Sequence, residues 1–247
     1  MIVSASGGLD SSTTLATLKA AGMNPIACHF RYSHRGQDAE EIAIQKVTEI
    51  LDIPLYKFDI EQTMKMLDKG MLTDKNSVIT TGTEQGLKST QAWVIYRNHF
   101  FLVHMGALAE SLIMNEGYDE LYLTGGMMQL SESGVYMDNS ERFIDSALKF
   151  FKFTVTGTKI KALYGLANIL KCEQYHLLDR LGYLEVLSPW LVSCDRPIVE
   201  DGIPKNCSKG GKPACGSGKL STWGSQIAGV KDLRNYYEVD DPNYVGF

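Results

Sequence analysis

Short apolar runs alternate along this chain with stretches whose apolar residues recur every three or four positions. Residues 1–4 have the character of a short buried strand. Residues 11–21 predict a helix, with Leu15 and Leu18 on its apolar face and Gly22 as its stop. Residues 25–32 predict a second strand. Residues 40–51 predict a helix whose apolar surface comes from Ile42, Ile44, Val47, Ile50 and Leu51, and residues 54–60 a third strand. This β-α-β-α-β alternation implies a parallel sheet with helices on both faces, an α/β, Rossmann-like fold.

Residues 61–92 read as an irregular loop, polar toward its end, and a loop of that length in a compact domain is more often functional than accidental. A strongly apolar helix is expected over 97–115 and a buried strand over 120–124, ending in Gly125-Gly126. Further helices are expected over 140–151, 158–169 and 173–181. Residues 189–229, rich in Gly, Pro, Lys and Cys, read as a loop-dominated appendage closing on the sheet's C-terminal edge. Residues 235–247 read as extended and loosely held. The pattern therefore divides into a main domain over 1–188 and a small lobe over 189–247.

Composition narrows the class. The 247 residues are 44% hydrophobic and 21% charged, an ordinary globular balance. No apolar run approaches the ~20 residues of a membrane span. Met1-Ile2-Val3 leads straight into the first motif with no room for a leader, so a cytoplasmic protein with no membrane partner is expected. A net charge of -5 and a pI of about 5.6 disfavour a nucleic-acid substrate. Five cysteines, an odd number, argue against a disulfide framework. Cys28 and Cys172 read as inert core residues, whereas Cys194, Cys207 and Cys215 cluster in the Gly/Pro-rich stretch.

The sharpest chemical signal is Ser6-Gly7-Gly8-Leu9-Asp10-Ser11-Ser12, set between a strand and a helix. Amides at a helix N-terminus supply donors and a positive dipole end for pyrophosphate. Gly7 and Gly8 let the main chain approach phosphate oxygens and adopt positive φ. Ser6, Ser11 and Ser12 add hydroxyls. Asp10 suits Mg2+ or the orientation of the loop amides. Simple helix capping explains Ser and Asp but not two adjacent glycines followed by Asp-Ser-Ser. The Gly-Lys-Ser/Thr end of a Walker loop is absent, as is the Gly-x-Gly-x-x-Gly of a dinucleotide fold.

Ser-Gly-Gly-x-Asp-Ser resembles the PP-loop of the ATP pyrophosphatase superfamily, which shares an adenine-nucleotide α-hydrolase-like fold and cleaves ATP between its α and β phosphates. Later segments resemble the 7-cyano-7-deazaguanine synthase (QueC) family in order. Val94-Ile95-Tyr96-Arg97-Asn98 is similar to its Val-Pro-Gly-Arg-Asn helix start, and Tyr32-Ser33-His34-Arg35 to its Tyr-Gly-Gln-Arg turn. Thr124-Gly125-Gly126, then Ser133-Gly134-Val135-Tyr136-Met137-Asp138, is similar to its Thr-Gly strand end and Ser-Gly-Tyr-Pro-Asp segment. Residues 190–194 resemble the Trp-Ser-Cys approach to a zinc site. There the chain departs from the family: Cys194 and Cys215-Gly216 fit, but Gly218 and Ser221 stand where two more cysteines belong. Cys207 and Asp195 are the substitutes at hand, and the alternative is a lobe held by packing without zinc.

The resemblance implies ATP and Mg2+ at residues 6–12 and a deazapurine substrate met by Arg97, Asn98 and Asp138. His34, Arg35 and Gly125 would line the nucleotide pocket. Arg97 suits bidentate contact with an anion, or else pairs with Glu110 as a helix-start residue. Asp138 suits a guanine-like N–H pair, or serves as a turn aspartate. Asp10, Ser11 and Arg97 are the candidate catalytic residues. The implied reaction is ATP-dependent conversion of 7-carboxy-7-deazaguanine to the nitrile with ammonia. A ligase that stops at the amide or joins the deazapurine to another amine, such as a protein, is a second reading. A non-catalytic nucleotide-binding module is a third. Lys205, Lys209, Lys212 and Lys219 read as a mobile surface loop, or else as a phosphate lid or a docking site for a protein. A homodimer remains open.

Overall fold

The computed structural model describes residues 1–67, 73, 94–125, 138, 140–164 and 169–239. In chain order the first half runs β1 (Ile2–Ser4), α1 (Leu9–Ala20), β2 (Ile26–Arg31), α2 (Gln37–Leu51), β3 (Leu55–Asp59), α3 (Glu61–Leu67), α4 (Arg97–Glu116), β4 (Leu121–Gly125) and α5 (Glu141–Phe151). It continues with β5 (Ile160–Ala162), α6 (Lys171–Arg180), α7 (Leu184–Leu187), β6 (Ile198–Glu200), β7 (Ile203–Lys209), β8 (Lys212–Pro213), α8 (Gly216–Ile227) and β9 (Tyr236–Glu238).

The main sheet has five parallel strands in the order β3-β2-β1-β4-β5. Side chains alternate between two cores, as the period of a strand requires. Ile2, Cys28, Phe30, Leu121 and Leu123 face Leu102, Met105 and Ala109 of α4 and Ile144 of α5. Val3 and Ala27 face Leu15 of α1, Ile44 and Val47 of α2, and Tyr175 and Leu178 of α6. Helices therefore cover both faces, as the pattern predicts. The chain order reverses between β1 and β4, and in such sheets ligands settle beyond the strand ends at that reversal. The Ser6–Ser12 loop leaves β1 there, and Gly125 closes β4 beside it, in register with Ser4.

Several expectations are corrected. Residues 158–164 do not form the expected α-helix: after a 3-10 turn at Gly157–Lys159, Ile160–Ala162 forms the fifth strand, with Ile160 opposite Leu121, and residues 165–168 lie outside the described residues. Residues 61–92 are not irregular at their start, since Glu61–Leu67 is helical; residues 68–72 and 74–92 lie outside the described residues. The tail is not loop-dominated. β6 and β8 pair antiparallel with β7, β9 pairs parallel with it, and α8 packs against α6.

Residues 235–239 are likewise fastened. Glu238 accepts the amides of Gly210 and Gly211, each at 2.9 Å, and Val239 N donates to Ser208 O at 2.8 Å. The lysines of the basic run sit in regular elements rather than a mobile loop: Lys205 and Lys209 in β7, Lys212 in β8 and Lys219 in α8. Among the described residues no helix is long and apolar enough to cross a membrane.

Candidate active site

The loop after β1 is built to keep side chains away from its own main chain. Gly7 has φ +77 and lies against α2, where a Cβ would stand 2.5 Å from Ala43 Cβ and 2.6 Å from Ile44 N. Gly8 is the N-cap of α1, so the first-turn amides of that helix have no acceptor within it. Ser11 Oγ accepts the Ser6 amide and donates to Gly8 O, both at 3.3 Å, which folds the loop over the helix start. Leu9 turns its side chain into the core, and Ser12 is fully buried, so each reaches a ligand only through the main chain.

One cavity opens beside this loop. Ser6, Gly8, Asp10 and Ser11 line one side of it and Arg97 and Asn98 another, with Phe30, Tyr32 and Phe101 as an aromatic wall. Two segments far apart in sequence thus meet as the motif order anticipates. Arg97 does not pair with Glu110, whose carboxylate accepts the Thr156 amide at 3.2 Å. Burial opposes its charge, but Tyr32, Asp138 and Glu40 outweigh that and hold the guanidinium firmly protonated. Burial in turn pushes the Tyr32 hydroxyl up to about 12.

Asp138 and Asn98 are linked, with Asn98 Nδ2 donating to Asp138 O at 3.2 Å, and burial raises the Asp138 carboxyl. Asp138 does not line the cavity in this structure. Nor do His34 and Arg35. His34 stands behind it, stacked on Tyr32 at 4.1 Å, with Nε2 3.0 Å from Glu40 Oε2. Gly125, with φ +147, admits no side chain, since a Cβ would meet Ser4 O at 2.7 Å. Gly126 and residues 133–137 lie outside the described residues.

Several residues in or beside the cavity had escaped sequence reasoning. Lys171, the first residue of α6, forms an ion pair with Asp10. It is braced by α8, where a Cβ on Gly224 would come within 2.5 Å of Lys171 Cβ. Nothing local marks a lysine that distant in sequence. His29 and Glu40 line the cavity itself, whereas Lys171 meets it only through Asp10. The signal for His29 was visible as a polar residue in an otherwise apolar strand.

The three lobe cysteines converge. Their Sγ atoms all lie within 4.8 Å of one another, and those of Cys194 and Cys215 are 3.7 Å apart. Tetrahedral zinc with Zn–S of about 2.3 Å separates its sulfurs by about 3.8 Å, so the spacing fits. Amides point at the sulfurs as they do around metal thiolates: Cys207 N and Arg196 N at Cys194 Sγ, Asp195 N and Gly218 N at Cys215 Sγ. Hydrogen bonds from Cys194 and Cys215 draw the Cys207 thiol down to about 3, while burial pushes Cys194 up. Three donors fit a zinc ion and the fourth corner has no cysteine. Ser221, at one family cysteine position, is buried and bonded to Tyr175. Cys28 is as inert as expected, its thiol pushed up to about 12 by burial.

Five parallel strands covered by helices on both faces, with a glycine loop at the reversal point, make this an α/β protein of Rossmann-like architecture. The family model described as "Queuosine biosynthesis protein QueC" matches residues 1–215. The chain belongs to that family. It is 30% identical to a 7-cyano-7-deazaguanine synthase of Saccharolobus solfataricus over 96% of this chain and 47% of that protein. It therefore spans about half the length of that relative. It is 31% identical to a 7-cyano-7-deazaguanine synthase of Aliarcobacter butzleri over 94% of this chain and 93% of that one. A solved structure described as NMN synthetase from Francisella tularensis is 19% identical over 75% of this chain and 63% of that chain, with a TM-score of 0.34.

Proposed function

We propose that this chain converts 7-carboxy-7-deazaguanine to 7-cyano-7-deazaguanine with ATP and ammonia. The observation that carries the reading is the meeting of the Ser6–Ser12 loop with Arg97 and Asn98 across one cavity. A carboxylate is a poor electrophile, because its charge repels nucleophiles and oxygen leaves it badly. Attack of its oxygen on the α phosphate of ATP gives a mixed anhydride and releases pyrophosphate. The loop amides and Lys171 suit the leaving pyrophosphate, and Arg97 suits the substrate carboxylate. Ammonia displaces AMP to give the amide. A second adenylation, on the amide oxygen, permits elimination to the nitrile. Catalysis rests on positioning and charge stabilisation.

Asp10 is the loop carboxylate available to Mg2+, which would offset the pyrophosphate charge. Zinc at Cys194, Cys207 and Cys215 would cross-link the lobe, whose α8 braces Lys171. Residues 1–188 then carry the nucleotide chemistry and 189–247 fasten it. A cytoplasmic location goes with this reading. The test is incubation of purified protein with the carboxylate, ATP and ammonia. AMP together with amide or nitrile is expected; neither product would refute the reading.

A further inference from the structure

We propose that Glu40 and His29 form the subsite for the nitrogen nucleophile: Glu40 holds it as ammonium, and His29 Nε2 takes the proton whose loss frees the nitrogen lone pair for attack. The proposal rests on the carboxylate-activating reaction above and supplies residues for its second half.

The other ligands of this cavity are anions, a triphosphate and a carboxylate. Loop amides, Lys171 and Arg97 suit them. Glu40 does not. It lies in the first turn of α2 with its side chain 19% exposed, and it lines the same cavity. Burial opposes its charge, but His34, then His29 and Arg97, outweigh burial and hold the carboxyl below its ordinary range. An ionised carboxylate set among anions repels them unless a cation comes between, and the one cation the reaction consumes is ammonium.

His29 supplies the complementary group. Its Nδ1 lies 3.1 Å from the carbonyl oxygen of Ala5, the residue just before the phosphate loop. A carbonyl only accepts, so Nδ1 carries the hydrogen and Nε2 carries the lone pair. Nε2 is buried and no described residue hydrogen-bonds to it. Leaving such an acceptor unmet is costly, and a donor on a bound ligand would recover that cost. The charged groups facing the ring are Glu40 and Glu41 from α2 and His34 from the connection before it, with Arg97 beyond Glu40. Burial outweighs them and keeps the imidazole neutral.

The step balances. Bound ammonium passes one proton to His29 Nε2 and becomes ammonia, whose lone pair forms a bond to the acyl carbon while the C–O bond breaks with its electron pair going to AMP. The second N–H proton goes to the phosphate oxygen freed on AMP, which leaves neutral amide, AMP and imidazolium. Nitrile formation also removes an N–H proton, so the same base serves both halves.

The experiment compares parent, His29→Gln and Glu40→Gln full-length proteins in three assays. Carboxylate-dependent exchange of pyrophosphate into ATP needs no nitrogen nucleophile and is the internal reference. Amide formation from ammonium chloride needs a proton acceptor. Hydroxamate formation from hydroxylamine, which is uncharged at neutral pH, does so far less. In H29Q, amide formation should fall about 10²–10³-fold relative to both exchange and hydroxamate formation, and that deficit should shrink as pH rises. E40Q should raise the KM for ammonium by a larger factor than it changes exchange, and it carries the test if H29Q fails to fold. Unchanged amide formation in H29Q, a parallel fall in all three assays, or an unchanged ammonium KM in E40Q would overturn the proposal. Absence of exchange in the parent would sink the carboxylate-activating reading itself, and the subsite with it.

Discussion

Replacing Gly7 by Ala tests the phosphate loop most sharply, because the structure sets both the cost and the control. At φ +77 any L side chain is strained, by roughly 1–2 kcal/mol. The new Cβ would stand 2.5 Å from Ala43 Cβ, whereas ordinary contact begins at 3.4 Å, so the loop must back away from α2 by nearly an ångström. Overpacking of that kind costs a further ~1–3 kcal/mol. A total of about 2–5 kcal/mol should lower Tm by roughly 5–15 °C. A displacement of about 1 Å in a positioning group costs about a hundredfold in rate, so pyrophosphate exchange should fall by that factor or more, measured below the variant's own Tm. Gly22→Ala is the control. Its φ is +73 and nothing lies within 4 Å of the added carbon. It should cost the backbone strain alone and leave exchange untouched. If G7A and G22A behaved alike in both assays, the claim that this glycine sets the loop against α2 would be wrong.

Three other outcomes follow from the same geometry. Lys171→Met keeps the stem that packs on Gly224 but removes the charge beside Asp10; exchange should drop about 10²–10³-fold with little change in Tm, and undiminished exchange would remove Lys171 from the site. Elemental analysis of purified parent should find zinc and that of Cys207→Ser should find little, with chelation lowering the parent Tm; a zinc-free parent with three titratable thiols would show a lobe held by packing. Glu61 accepts from Lys65 at 3.0 Å, Arg31 at 2.9 Å and Gln37 at 3.0 Å, and its carboxyl lies at about 2, drawn down by Lys65 first and then by Arg31 and Gln37. Its folded pKa is depressed, so its stabilisation is present above about 4.5 and fades as pH falls toward 2; Glu61→Gln should be less stable than parent at neutral pH, and an equal gap at pH 3 and pH 7 would contradict this.

The sheet and its loop were legible because their signals are local. Buried parallel strands show as apolar runs, and two glycines after the first strand have few other uses. The fifth strand was hidden because Ile160, Leu163 and Tyr164 repeat at helical spacing while the strand itself is three residues long. The C-terminal sheet was hidden because its ties are distant: Asn206 joins Leu191 and Asn235, and Glu238 closes the turn at Gly210-Gly211. Arg97 and Asn98 were reached through motif order. Lys171 was not, since it meets Asp10 across 161 residues of sequence. The three lobe cysteines were readable as a cluster, and the distant tie that closes it is β7, which carries Cys207 beside Cys194.

The most direct measurement follows one oxygen atom. The substrate carboxylate is labelled with heavy oxygen and turned over with ATP and ammonia, and the nucleotide product is weighed by mass spectrometry. Activation by adenylation predicts AMP that carries the label, with unlabelled pyrophosphate. ADP as the product, or AMP without the heavy atom, would contradict the account.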